Sequence, residues 1–174
     1  MRLLAAAVIA WPAAASHACA QTAATPWKII SERDQMTDQT LRLALTTPKT
    51  NPVQQGKSIT TALMIKCATT FIGGTTHPEL MVLFASLGGM WHVRAMHTRY
   101  RFDDGPVRDY KLKVVRRAGG HGLFLPKLGD QDPAAEITAA TRLRVEVNLP
   151  YAGATLLDFN VAGASDAIRQ IACR

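Results

Sequence analysis

The chain has 174 residues, 20 of them Lys or Arg against 13 Asp or Glu, for a formal net charge of +7. With 48% hydrophobic and 19% charged residues it can bury a core, which excludes a disordered polyelectrolyte. Its length suits one domain.

Residues 1–20 read as a cleaved secretory signal. Arg2 supplies the positive end, Leu3 to Ala10 the apolar stretch, and Trp11 and Pro12 close it. That stretch is well short of the roughly 20 residues that span a bilayer. Ala18 and Ala20 fit the small-residue pattern of a signal peptidase site, so cleavage is expected between Ala20 and Gln21. The alternatives are an Ala-rich helix that stays attached, and a lipoprotein acylated on Cys19. The second wants an aliphatic residue upstream, where Ser16 and His17 stand. No later stretch is long and apolar enough for a membrane helix: Met81-Val82-Leu83-Phe84 is short, and Arg94 follows. The expected product, residues 21–174, is a single β-rich periplasmic domain with no stable membrane span.

Its charge falls to +6 once Arg2 leaves. Such a charge attracts anionic partners at long range. Outside the cytoplasm these are lipid headgroups, cell-wall polymers, lipopolysaccharide or acidic proteins; nucleic acid does not fit an exported chain. A plain solvated basic surface is the blander reading of the same number.

Losing the leader removes Cys19 and leaves Cys67 and Cys173. An even cysteine count in an oxidising compartment points to a disulfide, and two cysteines allow one pairing. It would close a loop of roughly 100 residues, for about 4–5 kcal/mol in the chain-entropy model. Two free buried thiols are the alternative. Neither cysteine sits in a C-x-x-C or Cys/His pair, so zinc is not expected.

Along the chain, alternation of apolar and polar residues marks strands. Trp27 to Ser31 opens the domain. Thr40 to Thr46 alternates, with Leu41, Leu43 and Leu45 on one face. Asn51 to Lys57 is loop-like. Ala62 to Cys67 is a mixed apolar run, Gly73-Gly74 breaks the chain, Leu80 to Phe84 reads as a fully buried strand, and Gly88-Gly89 turns it. His97 to Phe102 and Val107 to Val114 flank Asp103-Asp104-Gly105-Pro106, a turn signal that makes them a hairpin; Gly119-Gly120 ends that arm. Asp132-Pro133 starts a short helix to Ala139. Arg142 to Val147 is the cleanest strand, and Tyr151 to Ala154 turns it back into Thr155 to Val161. Ala164, Ala167, Ile168 and Ile171 repeat at helical spacing, with Ser165 placed to cap. The expected fold is mainly β: a β-sandwich of short antiparallel strands with a C-terminal helix packed on it.

Candidate chemistry is sparse. Ser31, Ser58, Ser86 and Ser165 lie in no G-x-S-x-G elbow, and a disulfide-bonded Cys67 cannot attack. His77, His92, His97 and His121 are scattered and read as surface histidines. Asp103 and Asp104 are adjacent but explained by their turn. No catalytic residue, metal site or cofactor is expected. The more informative set is positive. Arg99 and Arg101 alternate with Tyr100 and Phe102, Lys111 and Lys113 with Leu112 and Val114, and Arg142 and Arg144 with Leu143 and Val145. If these strands share a sheet, the six cations line its outer face, diluted by Asp103, Asp109 and Glu146. That face would bind a polyanion or an acidic partner, or be an ordinary surface laced by Arg–carboxylate pairs.

The order of several short segments carries a resemblance. Trp27, Ser31 and Met36-Thr37-Asp38 come first, then Leu63-Met64-Ile65-Lys66-Cys67, then Tyr100-Arg101-Phe102-Asp103-Asp104-Gly105. The strand Arg142 to Val147, Pro150-Tyr151, Phe159, Gly163, Ala167-Ile168 and Cys173 complete it. In this order the chain resembles the VasI (TagO-like) proteins, periplasmic accessories encoded with bacterial type VI secretion systems. The resemblance covers nearly all of residues 21–174 and supplies no catalytic residue. It implies a non-enzymatic periplasmic binding or accessory protein whose partner is a protein or an anionic envelope component. An exported inhibitor or immunity-type protein, with His77 to Gly89 as its projecting loop, and an envelope hydrolase are the alternatives.

Overall fold

The computed structural model describes residues 25–33, 40–69, 76–85, 93–117, 120–150 and 152–173. The leader, Met36-Thr37-Asp38, Gly73-Gly74, Gly88-Gly89, His92 and Tyr151 lie outside the described residues. The strands are β1 Lys28–Arg33, β2 Thr40–Thr46, β3 Val53–Gln54, β4 Lys57–Ser58, β5 Thr61–Thr69, β6 Thr76–Ala85, β7 Ala95–Phe102, β8 Arg108–Arg117, β9 Gly120–Leu125, β10 Arg142–Leu149 and β11 Gly153–Asn160. Two helices, α1 Pro133–Glu136 and α2 Ala164–Gln170, complete the elements among the described residues. Among the described residues no helix is long and apolar enough to cross a membrane.

Nine strands form one antiparallel sheet in the order β1-β2-β5-β6-β9-β8-β7-β10-β11. It turns a corner at β8, whose first six residues pair with β7 (Arg108 to Lys113) and whose last four pair with β9 (Val114 to Arg117). Strands that change partners in this way make the corners of folded sheets. The far edges also meet. Pro48, just past β2, bridges Phe159 of β11, and the Lys49 amide donates to the Asp158 carbonyl at 2.9 Å. The Trp27 indole N–H donates to the Val161 carbonyl at 3.4 Å. The sheet thus closes around one core in two layers, a β-sandwich as the alternation implied.

The core follows from the same alternation. Tyr100 and Phe102, Leu143, Val145 and Val147, and Leu157 and Phe159 fill it from one layer; Leu63 and Ile65, Leu80, Val82 and Phe84, and Leu123 and Leu125 fill it from the other. Tyr100 and Phe102 meet edge to face, with ring centroids 6.1 Å apart, a favoured aromatic geometry. α2 lays Ala164, Ala167 and Ile171 on the core. Cys67 on β5 and Cys173 beyond α2 stand at disulfide distance, their Cα atoms 5.3 Å apart.

Leu41, Leu43 and Leu45 share one face as expected, and that face points away from the core: Leu41 is half exposed, while Ala44 and Thr46 are the buried pair. Alternation separates two faces but does not say which is inside. Gly120 opens a strand, β9, instead of ending an arm. An added Cβ there would lie 2.3 Å from the Phe84 carbonyl oxygen, so glycine permits the close approach of β9 to β6. α1 stops at Glu136. Ser165 lies inside α2, whose N-cap is Gly163 in the left-handed region at φ 76° with no side-chain cap bond. The Asn51 to Lys57 loop contains the small β3–β4 hairpin. His121 is buried rather than superficial. His77 to Ala85 lies in strand β6, paired with β5 over nearly its whole length and with β9 from Leu80 to Ala85, so these residues do not project as a loop.

Candidate functional site

In antiparallel pairs, residues directly opposite point to the same side of the sheet. Arg101 faces Arg144, Arg99 faces both Glu146 and Asp109, Lys111 faces His97, and Lys113 faces Ala95. Arg142 and Arg144 share their parity on β10. All six cations therefore lie on the outer side of the β8–β7–β10–β11 layer, opposite the core side chains Tyr100, Phe102, Leu112, Leu143 and Val145.

They are not equivalent. Arg142 clamps Asp158 in a two-pronged pair, Nε to Oδ1 at 2.8 Å and Nη2 to Oδ2 at 2.6 Å, and Lys49 approaches the same carboxylate at 3.1 Å. Arg142 holds the Asp158 carboxyl below its usual range, and Lys49 adds to the effect. Arg99 pairs with Glu146 at 3.1 Å. Arg144 is mostly covered. Its Nη2 donates to the Asp103 carbonyl at 2.6 Å and to the fully exposed Asp104 carboxylate at 3.0 Å. Its Nε is buried without a hydrogen-bond partner among the described residues. Arg101, Lys111 and Lys113 have no hydrogen-bond or ion-pair partner among the described residues.

The turn between β7 and β8 is fixed from within. Asp103 sits in the left-handed region at φ 43°. Its carboxylate accepts from the Thr141 hydroxyl at 2.8 Å and from the Arg142 amide at 2.9 Å. Those bonds, the Thr141 hydroxyl foremost, hold its carboxyl below the usual range. The turn is thereby tied to the start of β10, and Arg144 is aimed at it.

Between these strands lies a shallow depression of about 320 Å³, lined by Arg99, Arg101, Val107, Arg144, Glu146 and Leu156. Val107 and Leu156, 51% and 60% exposed, form its apolar rims. Leu156 stands directly opposite Glu146, and Val107 precedes β8 with the outward parity of Asp109; charge alternation alone singles out neither.

On the core side of the same layer lies a group that reading missed. Arg108 shares its parity with Tyr110 and Leu112, so it points inward. It pairs with Glu136 of α1 at 2.7 Å and lies 5.7 Å from the Tyr100 ring centre, a cation–π distance. Burial raises the Tyr100 hydroxyl above its ordinary pKa, and the adjacent Arg108 opposes that.

Two further concavities are lined by described residues. One, of about 800 Å³, lies by α1 and the cysteine pair, with Phe124, Pro126, Pro133 and Ile168 in its walls. Its carboxylates are already engaged, Glu79 by Lys66 at 2.8 Å and Asp132 by Lys127 at 3.4 Å. The other, of about 530 Å³, lies where Leu41, Leu43, Met64 and Leu83 face outward. Compared with known proteins, the chain matches no family model, no curated protein and no solved structure.

Proposed function

We propose that this protein is a non-enzymatic periplasmic accessory that binds another protein through the outer face of the β8–β7–β10–β11 layer, in the service of type VI secretion. The observation that carries the binding reading is Arg101, directly opposite Arg144 and without a neutralising partner among the described residues. Like charges directly opposite each other on a sheet are destabilising. An anionic group from outside compensates them. The same face carries Asp104, Asp109, Glu146 and Asp158, which favours a protein surface of mixed charge over a polyanion such as lipopolysaccharide, since dense negative charge would meet these carboxylates.

The periplasmic part rests on the leader-like residues 1–20 and is supported by the cysteine pair at disulfide distance. The secretion part rests on the order of the VasI-like segments. Deleting the gene in its host should reduce type VI-dependent killing of a susceptible competitor, and a plasmid copy should restore it. Undiminished killing in the deletion strain would overturn the secretion role.

A further inference from the structure

The geometry points to the chemistry of what the depression takes: one Asp or Glu side chain flanked by apolar side chains, on an extended segment of the partner protein. This inference rests on the partner-binding reading above and narrows it. Two rows cross the face. One runs Arg101, Arg144, Asp158, with Val107, one residue before β8, lining the same depression; the other runs Asp109, Arg99, Glu146, Leu156.

Within these rows Arg101 is the one arginine without a partner among the described residues, and Asp109 has the His97 imidazole at 3.9 Å. Arg99 is met by Glu146, Asp158 by Arg142, and the outer nitrogen of Arg144 by the Asp103–Asp104 turn. The donors open to a ligand are those of the Arg101 guanidinium; the Arg144 Nε also lacks a partner among the described residues but is buried. A planar guanidinium fork matches one carboxylate. On either side of that spot the surface is apolar, at Val107 and Leu156. An inorganic phosphate or a sugar phosphate would leave both apolar rims uncovered. A run of acids would bring further carboxylates against Glu146 and Asp158. A single acid between apolar neighbours satisfies the arginine and covers the rims together, and about 320 Å³ has room for one or two side chains.

The test uses the full periplasmic protein, isotope-labelled for NMR, and three end-capped pentapeptides. The first is leucine-valine-glutamate-valine-leucine, the second has glutamine at its centre, and the third is pentaglutamate. The glutamate-centred peptide should shift the amides of Arg101, Arg144 and Leu156 saturably, and bind about tenfold more tightly than each of the others, a difference of about 1.4 kcal/mol. Arg101→Gln should erase that preference while its remaining spectrum overlays the wild type, and Arg101→Lys should keep only part of it. Equal binding of the glutamine peptide would refute carboxylate recognition. Equal or tighter binding of pentaglutamate would refute the apolar requirement. If the peptides fail while Arg101→Glu still abolishes secretion in cells, the ligand class is wrong and the partner-binding reading stands. If the peptides bind as expected and Arg101→Glu leaves secretion intact, the ligand class is right and the secretion role is wrong.

Discussion

At the residue scale, three charged side chains of the β8–β7–β10–β11 layer and its turn, Asp103, Asp158 and Arg108, shape its stability. Asp103 builds the turn. Its folded pKa is depressed, so the stability it confers is fully present above the unfolded carboxylate value of about 3.9 and is lost as pH falls through the lower folded value. Asp158, depressed by Arg142, acts in the same direction. Thermal midpoints should therefore be level above about pH 5 and fall below about pH 4. Asp103→Asn, which tolerates the left-handed backbone, should make that fall shallower; an unchanged acid limb would refute the assignment. Asp103→Ala should cost about 1–2 kcal/mol in urea unfolding at neutral pH, from the lost hydrogen bonds.

Arg108 is a different case. Its Nε and Nη1 are buried without hydrogen-bond partners among the described residues, and Glu136 can be solvated when Arg108 is gone. Replacing a covered cation by an apolar side chain of similar length is often neutral or stabilising. Arg108→Met should unfold within about 1 kcal/mol of the wild type, whereas Arg108→Ala, which leaves a void beneath Tyr100, should lose about 2–3 kcal/mol. A large loss in the Met variant would mean that the ion pair itself holds α1 in place.

At the element scale, β9 and β6 lie close because of glycine. At Gly120 a methyl group would meet the Phe84 backbone oxygen at 2.3 Å; at Gly122 it would meet the sulfur of Met81 at the same separation. Backbone cannot yield, but a thioether can swing aside. Gly120→Ala should cost about 2–3 kcal/mol in urea unfolding and Gly122→Ala clearly less; the reverse order would contradict this packing. These glycines also mark what the sequence concealed. Gly119-Gly120 looks like a terminator when only local conformational freedom is considered, yet Gly120 is there so that a neighbouring backbone can come near. The hairpin strands, the six outward cations and the C-terminal helix were legible because strict alternation or helical spacing defined them. The corner at β8 was not, because a strand that changes partners keeps its alternation throughout. Nor was the outward turn of Leu41, Leu43 and Leu45, since Ala44 packs inward only once β5 is beside it. In the candidate site, the cations were readable one by one. Their pairing was not, because it depends on which residue of β10 stands opposite which residue of β7.

At the scale of the whole molecule, the chain is a sheet folded on itself, with its edges joined at Pro48–Phe159 and its last helix held by the Cys67–Cys173 contact. If that contact is an oxidised bond, thiol labelling of residues 21–174, denatured and unreduced, should find no free cysteine, and removing both cysteines should cost about 2–5 kcal/mol. Two labelled thiols would contradict this. On the outer face of the β8–β7–β10–β11 layer, Arg99, Arg142 and Arg144 are held in ion pairs, whereas Arg101, Lys111 and Lys113 have no partner among the described residues; of these three, Arg101 lines the depression. Arg144 is a poor probe of binding, because it also supports the Asp103–Asp104 turn. Arg101 supports no described side chain, and Glu at its position would face Arg144 favourably. The most direct measurement is complementation of a deletion strain with Arg101→Glu, scored by type VI-dependent killing at matched periplasmic levels of the protein. The account predicts wild-type abundance and thermal midpoint with killing lost; killing restored to the wild-type level would contradict it.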